Sequence, residues 1–426
     1  MKILIKNGNI LTMEQEEVLF GDVGIVDDII TFIGKDEFFQ ADYVIDAHEC
    51  MVMPGLVNAH THSSMTLFRN YADDLLFWDW LEGRILPIED KLVGADVKIG
   101  AKLAIAEMIR SGITTFADMY MFMDDVAQAV AETGIRAHLS RGLTGTDDAS
   151  REKIGEAKSF YHRWHGTQHD LIRVDFAPHA PYTCDDAFIG YIMEAASGLD
   201  TRIHIHLSES RDEVQRSLEQ HGATPIAHMR DLGLFDFPTY AAHCVHITDA
   251  DIQILKENHV SVVNNPGSNL KIANGFAPIK KLFVAGVNVS VATDGAASNN
   301  NLNMFEEMAL AALINKGVEE DAVVVPAYQA LQMGTVNGAM ALGREAQIGT
   351  LRVGKKADII LVDMHKPHFY PQYNLVSSLV YSAQAGDVKT VLCNGQLLME
   401  NYQLTTIDEE KTMREANQAA KRLVGS

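Results

Sequence analysis

The chain has 426 residues, of which 47% are hydrophobic and 22% are charged. These proportions are typical of a globular protein with a substantial core, and they exclude disorder as its main state. The 35 lysines and arginines against 57 aspartates and glutamates give a net charge of −22. A surface this acidic disfavours binding to phosphate backbones or to anionic lipid.

Cysteine usage and the first residues predict a cytoplasmic protein. The four cysteines form no CxxC pair, so neither a disulfide scaffold nor a zinc ribbon is expected. No uninterrupted apolar run reaches the ~18 residues of a membrane span. The opening MKILIKNGNI is typical of a strand and a turn, not of a secretion signal. We therefore expect no nucleic-acid or membrane partner, and we also expect a homo-oligomer.

Short strands are predicted near both ends of the chain. Residues 1–53 contain KILIKNGNI, EVLFGDVGIVDDIITFIG and YVIDAHE, which are separated by glycine-containing turns. Residues 355–426 contain KADIILVDM and VKTVLCNGQLLME, which have the same character. Because neither half offers enough strands for a stable sheet, we predict that both halves pair in one small β-sandwich domain.

Strand-like and helical segments alternate between these two ends, over residues 54–354. Helical stretches such as DVKIGAKLAIAEMIRSG and DEVQRSLEQHG open with aspartate, which favours a helix N-terminus. Eight strands alternating with helices over ~300 residues predict a (β/α)8 barrel of the TIM type, with an open doubly wound sheet as the alternative. The candidate strands are 54–62, 114–120, 135–142, 173–180, 202–209, 239–246, 260–266 and 288–295.

Histidine and carboxylate side chains lie at the ends of several predicted barrel strands. His60 and His62 are two residues apart in the first strand, so both side chains point to the barrel interior. The fifth strand carries His206, the sixth contains His243, and the eighth ends in Asp294. Active sites of such barrels lie at the carboxyl ends of the strands. These nitrogen and oxygen donors therefore predict a site for zinc or ferrous iron, with one position left open for water.

Simpler interpretations exist for single members of this set. Two polar residues at a strand end would account for the H-x-H pair taken alone, and only the further donors favour a metal. His204 shares a face with His206 but lies one layer deeper, as expected for a core residue or one that supports a ligand. His246 competes with His243, although we expect it in the following loop.

Five segments together resemble the amidohydrolase superfamily: PGLVNAHTH, HLSE, AAHCVH, NNPGSNLKIANG and TDGAASNN. Within the superfamily, the sequence is similar to the bacterial deaminases of 5′-methylthioadenosine and S-adenosylhomocysteine over nearly the whole chain. Signatures of zincins, serine hydrolases and phosphate-binding loops are absent from the sequence. The resemblance implies a distorted (β/α)8 barrel inserted in a small β-sandwich, which agrees with the strand pattern.

The resemblance also implies one divalent metal ion per subunit, zinc or alternatively ferrous iron. The fourth predicted strand, RVDFAPHA, contains no lysine, which favours the branch with one metal over the branch that bridges two metals with a carboxylated lysine. The implied ligands are His60, His62, His206 and Asp294.

The implied reaction is hydrolytic deamination of the adenine ring of 5′-methylthioadenosine, S-adenosylhomocysteine or adenosine, which breaks a C–N bond of a cyclic amidine. A bound metal would activate water, and Asp294 and His243 would accept its proton. Glu209 would be the general acid that protonates the ring nitrogen. The simpler interpretation of Glu209 is a carboxylate at a helix N-terminus.

Substrate contacts are likewise implied by the resemblance. Glu89 would accept hydrogen bonds from the ribose hydroxyls, and His179 would contact the purine. Arg141 and Arg151 would pair with the homocysteine carboxylate, although Arg151 also suits a solvated helix residue. The aromatic segment FWDWL would wall a thioether pocket or belong to the core.

Two rival functions remain open on the sequence. The first is the same chemistry on guanine, cytosine or a triazine ring, for which Glu89 and Arg141 would have no ribose or carboxylate to bind. The second is a barrel without activity that acts as a binding protein, which the presence of Glu209, His243 and all four implied ligands disfavours.

Overall fold

Two β-sheets organise the computed structural model, which describes residues 1–147 and 150–425. Nine strands from both ends of the chain form the first sheet, with strands numbered in chain order: β1 (Lys2–Leu11), β2 (Val18–Val26), β3 (Ile29–Gly34), β4 (Tyr43–Asp46), β5 (Cys50–Pro54), β14 (Ile359–Asp363), β15 (Val388–Cys393), β16 (Gln396–Glu400) and β17 (Gln403–Leu404). Their spatial order is β17-β16-β15-β14-β5-β1-β2-β3, with β4 beside β1.

Strand β5 joins the two halves of this sheet. It runs parallel to β1 on one side and antiparallel to β14 on the other, where Met53 lies opposite Ile360. Side chains from both halves, such as Ile5, Val23 and Leu392, share one buried core. The prediction of a β domain built from both termini is confirmed, while its division from the barrel at residues 53/54 and 354/355 stays a prediction.

The second sheet is a parallel barrel of eight strands that follow one another in chain order. Its two end strands approach each other closely, since Thr293 N donates to Asn58 Oδ1 at 3.0 Å and Asp294 N donates to His60 O at 3.1 Å. A doubly wound sheet would reverse its strand order, so that alternative is wrong and the (β/α)8 prediction is confirmed. The barrel strands are β6 (Leu56–Thr61), β7 (Ile113–Tyr120), β8 (Arg136–Leu143), β9 (Ile172–Pro178), β10 (Ile203–Leu207), β11 (Thr239–His243), β12 (Ser261–Asn264) and β13 (Val289–Val291).

Helices surround the barrel, and side-chain caps fix where several of them begin. Ser210 accepts a hydrogen bond from Glu213 N at the start of the helix after β10, as an N-cap residue does. None of the described helices has the length and hydropathy needed to cross a bilayer. The helices are α1 (Phe77–Trp80), α2 (Leu86–Glu89), α3 (Gly94–Arg110), α4 (Met123–Thr133), α5 (Arg151–Trp164), α6 (Thr167–Asp170), α7 (Asp186–Ala196), α8 (Arg211–His221), α9 (Pro225–Asp231), α10 (Asp249–Glu257), α11 (Pro266–Lys271), α12 (Ile279–Ala285), α13 (Met304–Glu319), α14 (Ala327–Met333), α15 (Val336–Ala341), α16 (Leu375–Tyr381) and α17 (Glu409–Val424).

Left-handed backbone turns end three barrel strands at the same edge of the sheet. Ser208 has a φ of 51°, His243 a φ of 73° and Asp294 a φ of 60°. Non-glycine residues adopt such angles at a cost, and strained residues of this kind cluster at functional sites. The turns end these strands earlier than the sequence predicted.

Candidate active site

A cavity of about 610 Å³ opens at the carboxyl ends of the barrel strands. This volume is within the range of small-molecule sites. His60 lies fully buried beside it, and Arg151 is not among its described lining residues. The other predicted site residues line it: His62, Glu89, Arg141, His179, His206, Glu209, His243 and Asp294.

Three imidazoles and one carboxylate converge at the floor of this cavity. The Nε2 atoms of His62 and His206 are 3.3 Å apart. Asp294 Oδ1 lies 3.3 Å from His60 Nε2 and 3.4 Å from His62 Nε2. The structure therefore brings together the four residues that the sequence predicted as metal ligands.

The outer nitrogens of two imidazoles fix how their inner nitrogens are protonated. His62 Nδ1–H donates to Met119 O at 2.7 Å, and His206 Nδ1–H donates to His179 O at 2.7 Å. In the neutral rings, both Nε2 atoms then carry lone pairs. Two lone pairs at 3.3 Å cannot hydrogen-bond to each other, so a cation between them suits this pair.

A chain of hydrogen bonds fixes the third imidazole in the same way. Ser140 Oγ donates to Asp118 O at 2.8 Å, so it accepts from His204 Nδ1 at 3.5 Å. His204 Nε2 in turn accepts from His60 Nδ1–H at 2.7 Å. His60 Nε2 is left buried without a hydrogen-bond partner among the described residues.

Burial keeps the imidazoles of His60 and His206 neutral, as metal ligands must be. It lowers the pKa of His60 to about 4 and the pKa of His206 well below its usual value. Unpartnered, neutral nitrogen donors beside a carboxylate fit a zinc ion or another divalent transition metal.

Asp294 is a buried carboxylate with several donors around it. Ser268 Oγ donates to Oδ2 at 2.7 Å and Ser298 Oγ donates to it at 3.1 Å, while Gly295 N donates to Oδ1 at 2.7 Å. Burial would raise the pKa of Asp294, but the close contact with His60 and the neighbouring imidazoles, together with these donors, outweighs it and holds the pKa well below its usual range. Asp294 is therefore ionised at neutral pH.

Glu209 is the second buried carboxyl group of the cavity, and its pKa is shifted in the opposite direction to that of Asp294. Asn274 Nδ2 donates to its Oε1 at 2.9 Å. Burial, together with the charge of Asp294, raises the pKa of Glu209 to about 8. A carboxyl group that keeps its proton at pH 7 can serve as a general acid.

The loop that carries Glu209 is held by a carboxylate on the first turn of α8. Glu213 Oε1 accepts from Ser208 N at 2.9 Å, and its Oε2 accepts from Glu209 N at 2.7 Å. Glu213 is itself 2% exposed. This bidentate contact fixes the left-handed turn at Ser208 and with it the direction of the Glu209 side chain.

His243 lies between the two carboxylates. Its Nδ1–H donates to Asn269 Oδ1 at 2.8 Å, which leaves Nε2 as an acceptor. Nε2 is 3.9 Å from Glu209 Oε1 and 4.0 Å from Asp294 Oδ2. His246, the competing candidate, instead donates from Nε2 to Asn274 O at 2.7 Å and does not line the cavity.

Two further predicted residues form the side walls. Tyr120 OH donates to Glu89 Oε1 at 2.6 Å, and burial raises the pKa of Glu89 to about 7. His179 donates from Nδ1 to Thr183 Oγ1 at 3.0 Å, and burial lowers its pKa to about 3. His179 is therefore a neutral ring, and its centroid lies 4.7 Å from that of His206.

Only one of the two predicted arginines lies in the cavity, because Arg151 is the first residue of α5 and its side chain points elsewhere. Arg141 lines the cavity, where its Nη1 donates to Gly142 O at 2.6 Å. The guanidinium of Arg151 instead lies 3.7 Å above the Tyr191 ring, so its contact with substrate stays a prediction. The second cation in the cavity lining is Lys153, which donates from Nζ to Thr144 O at 2.9 Å.

The aromatic segment at residues 77–81 contributes to both the cavity and its surroundings. Phe77, Trp80 and Leu81 line the cavity. Trp78 does not, and its Nε1 donates to Asp212 Oδ2 at 2.9 Å. The segment therefore forms an apolar wall, with one ring facing α8.

Sequence reasoning missed several polar residues around the site. Ser268 and Asn274 lie within NNPGSNLKIANG, the segment that contributed to the resemblance, but nothing in it indicated which carboxylate each would contact. The spacing of Glu213 four residues after Glu209 is a signal that was available, because α8 begins between them. The missed residues are Tyr120, Lys153, Glu213, Ser268, Asn269, Asn274 and Ser298.

Comparison with known proteins agrees with this geometry. The amidohydrolase family model matches residues 51–398. A 5-methylthioadenosine/S-adenosylhomocysteine deaminase of Thermoanaerobacter pseudethanolicus is 49% identical over 100% of both chains. A 5′-deoxyadenosine deaminase of Methanosarcina mazei is 47% identical over 99% of this chain and 98% of its own. An adenosine deaminase of Xanthomonas campestris, solved with bound zinc, has a TM-score of 0.95 at 35% identity and covers 100% of this chain and 99% of that one. The chain belongs to the amidohydrolase family.

Proposed function

We propose that the protein hydrolyses the exocyclic amino group of adenine in 5′-methylthioadenosine, S-adenosylhomocysteine and related 5′-substituted adenosines, and releases ammonia. The observation that carries this proposal is the position of the buried Glu209 in the same cavity as the imidazole cluster, with Oε1 3.9 Å from His243 Nε2. Burial there raises the pKa of Glu209 to about 8, as a general acid requires. The names of the relatives support the same substrate class.

The metal ion belongs to this proposal as well. His60, His62, His206 and Asp294 would hold one divalent ion, with zinc the first candidate and ferrous iron the alternative. When bound, such an ion makes water a nucleophile near neutral pH. Zinc is also present in the related Xanthomonas structure.

The chain's own residues then move the protons. Glu209 donates its proton to the purine N1, which makes the neighbouring C6 more electrophilic. Asp294 and His243 accept one proton from the attacking water and pass it to the leaving amino group. As the C6–N bond breaks and the C6 carbonyl forms, the remaining hydroxyl proton returns to Glu209, so the inosine product and ammonia leave the protein in its starting state.

The burial of Glu89 favours a nucleoside over a free ring as the substrate. Glu89 is 7% exposed, and one of its carboxyl oxygens already accepts from Tyr120. A buried acceptor needs further donors, and the ribose 2′ and 3′ hydroxyls would supply them. Guanine, cytosine and triazines have no such pair of hydroxyls, which ranks the ring hydrolases second.

An ultraviolet assay of the purified, zinc-loaded protein tests this proposal. We expect turnover of 5′-methylthioadenosine, S-adenosylhomocysteine and adenosine, with one zinc per chain by metal analysis. Guanine, cytosine and a chlorotriazine form the comparison set. Turnover of one of these rings in the absence of any adenosine turnover would contradict the proposal and leave only the fold and the metal chemistry.

We retain three sequence predictions beside this function. They are a cytoplasmic location, a homo-oligomeric assembly and the domain boundaries given above. Size-exclusion chromatography with light scattering tests the assembly, and limited proteolysis tests the boundaries.

A further inference from the structure

A second cavity, of about 780 Å³, adjoins the first and shares Arg141 and Met121 with it. Its walls come from the start of α4 and from one face of α5, including Glu152 and Glu156. Arg141 lies near the carboxyl end of β8 and lines both cavities where they meet. A 5′ substituent that extends past Arg141 would therefore enter the second cavity.

Arg141 divides its donors between the two cavities. Its Nε donates to Glu156 Oε2 at 3.2 Å and its Nη1 donates to Gly142 O at 2.6 Å. In the part of the chain that the structure describes, nothing accepts from its Nη2. One edge of the guanidinium is thus paired with Glu156, while another keeps donors for an incoming carboxylate.

The charges around the second cavity are unequal. Arg141 and Arg163 face Asp124, Glu152 and Glu156. Asp124 is fully engaged with Arg163, since its two oxygens accept from Nε at 2.9 Å and from Nη2 at 2.6 Å. The remaining pair of glutamates therefore outnumbers Arg141, which disfavours a lone carboxylate there and favours a substituent that also carries a positive charge.

We infer that Glu156 binds the α-ammonium group of an amino-acid substituent at the 5′ position, next to a carboxylate on Arg141. An α-amino acid presents an anion and a cation side by side, and Arg141 with Glu156 presents the complementary cation and anion 3.2 Å apart. This inference rests on the proposed function and adds to it the residue that recognises the ammonium group of zwitterionic thioethers such as S-adenosylhomocysteine.

A simpler role for Glu156 leads to the opposite expectation. If Glu156 only neutralises Arg141, it competes with the substrate carboxylate, and its removal would improve binding of every substrate with a carboxylate. If Glu156 binds the ammonium group, its removal weakens only the substrates with that group. The two roles are therefore separated by substrates that carry the two charges independently.

Four adenosine thioethers provide this test. S-adenosylhomocysteine carries both charges, the 4-thiobutanoate thioether carries the carboxylate alone, the 3-aminopropyl thioether carries the ammonium alone, and 5′-methylthioadenosine carries neither. The variants are Glu156→Gln and, as a matched control, Glu194→Gln, which makes the same change at an exposed position of α7 that lines neither cavity. Each kcat/KM is divided by that for 5′-methylthioadenosine, so a general loss of folded enzyme cancels.

For Glu156→Gln we expect the ratios of both ammonium substrates to fall about five- to tenfold, between the worth of an exposed ion pair and that of a buried charge-assisted bond. The ratio for the 4-thiobutanoate should stay level or rise, and Glu194→Gln should change the ratios less than twofold. A rise for S-adenosylhomocysteine and the 4-thiobutanoate alike overturns the inference, as do three unchanged ratios. If the wild type turns over none of the four, the proposed function itself fails.

Discussion

Replacing Glu209 by glutamine tests the general acid with the smallest change of shape. The amide oxygen of glutamine can still accept the hydrogen bond that Asn274 Nδ2 donates to Oε1 at 2.9 Å. The other end becomes an amide group that has no acidic proton to give to the purine. Glu209→Gln should therefore fold and bind zinc like the wild type, and lose only proton donation.

The size of the loss follows from the protonation of the carboxyl group. A carboxyl group with the ordinary glutamate pKa of 4.5 would be protonated in only about 0.3% of molecules at pH 7, whereas the pKa of about 8 keeps about nine-tenths of them protonated. The environment thus raises the protonated fraction of this carboxyl group roughly 300-fold. General acid catalysis contributes about 10²- to 10⁴-fold, so we expect kcat to fall by that factor.

The pH dependence of kcat/KM gives a second measurement. Because the pKa of Glu209 is raised, the acid is present below about pH 8 and is lost as the pH rises through that value. The wild type should lose activity on this alkaline side, and the residual activity of Glu209→Gln should not. Glu219→Gln, an exposed change on α8, the helix that follows Glu209, is the control.

A Glu209→Gln rate within a few-fold of the wild type would refute this reasoning and assign the proton to another group. An alkaline limb that persists in the variant would do the same, because the titrating group would then be elsewhere. Zinc analysis of the variant separates both outcomes from simple metal loss.

Four further substitutions test other parts of the site. His206→Ala should lose zinc and activity together while the circular dichroism of the barrel is retained, because the ligand lies at the functional end of the barrel; full activity without metal would contradict the metal site. Arg141→Met should lower kcat/KM for S-adenosylhomocysteine by roughly 10- to 150-fold, the worth of a charge-assisted hydrogen bond, and leave 5′-methylthioadenosine nearly unchanged; equal losses would make the arginine structural. Glu89→Gln should weaken both substrates about tenfold or more, since both carry the ribose diol, and a loss for only one would remove Glu89 from ribose binding. Glu213→Gln places an amide group against one of two backbone N–H donors, so it should lower the melting temperature and kcat with zinc retained; an unchanged kcat would show that the Ser208 turn holds without it.

The register of the strands explains why the floor of the site was predictable from the sequence. In parallel strands the side-chain alternation is fixed and the carboxyl ends meet at one edge. His60 and His62 therefore had to share the interior face, and Asp294 had to reach them from a strand more than 200 residues later. Strand order alone brings these strand ends together, although Asp294 itself lies just beyond β13, in a left-handed turn with a φ of 60°.

The walls of the site depend on loops and helix starts, which the same reasoning does not reach. Arg151 and Lys153 differ by two residues at the start of α5, so a helix begun there sends them in different directions, and Lys153 is the one that lines the cavity. The contact between Asn274 and Glu209 joins two loops that are 65 residues apart. Neither the direction of Lys153 nor the contact of Asn274 with Glu209 leaves a periodic pattern in the sequence.

The two buried carboxylates show how environment, rather than residue type, assigns the chemical roles. Asp294 receives hydrogen bonds from two serine hydroxyls and one backbone amide and lies beside His60, so its ionised form is stabilised. Glu209 receives one hydrogen bond, from Asn274, and faces the charge of Asp294, so its neutral form is favoured. The ionised aspartate thus depends on its donors and the protonated glutamate depends on the aspartate. The proposed mechanism needs one acid and one base at the same pH, and this asymmetry would supply both. His243, which lies within 4.0 Å of a carboxylate oxygen on each side, would then relay a proton between water and the leaving amine.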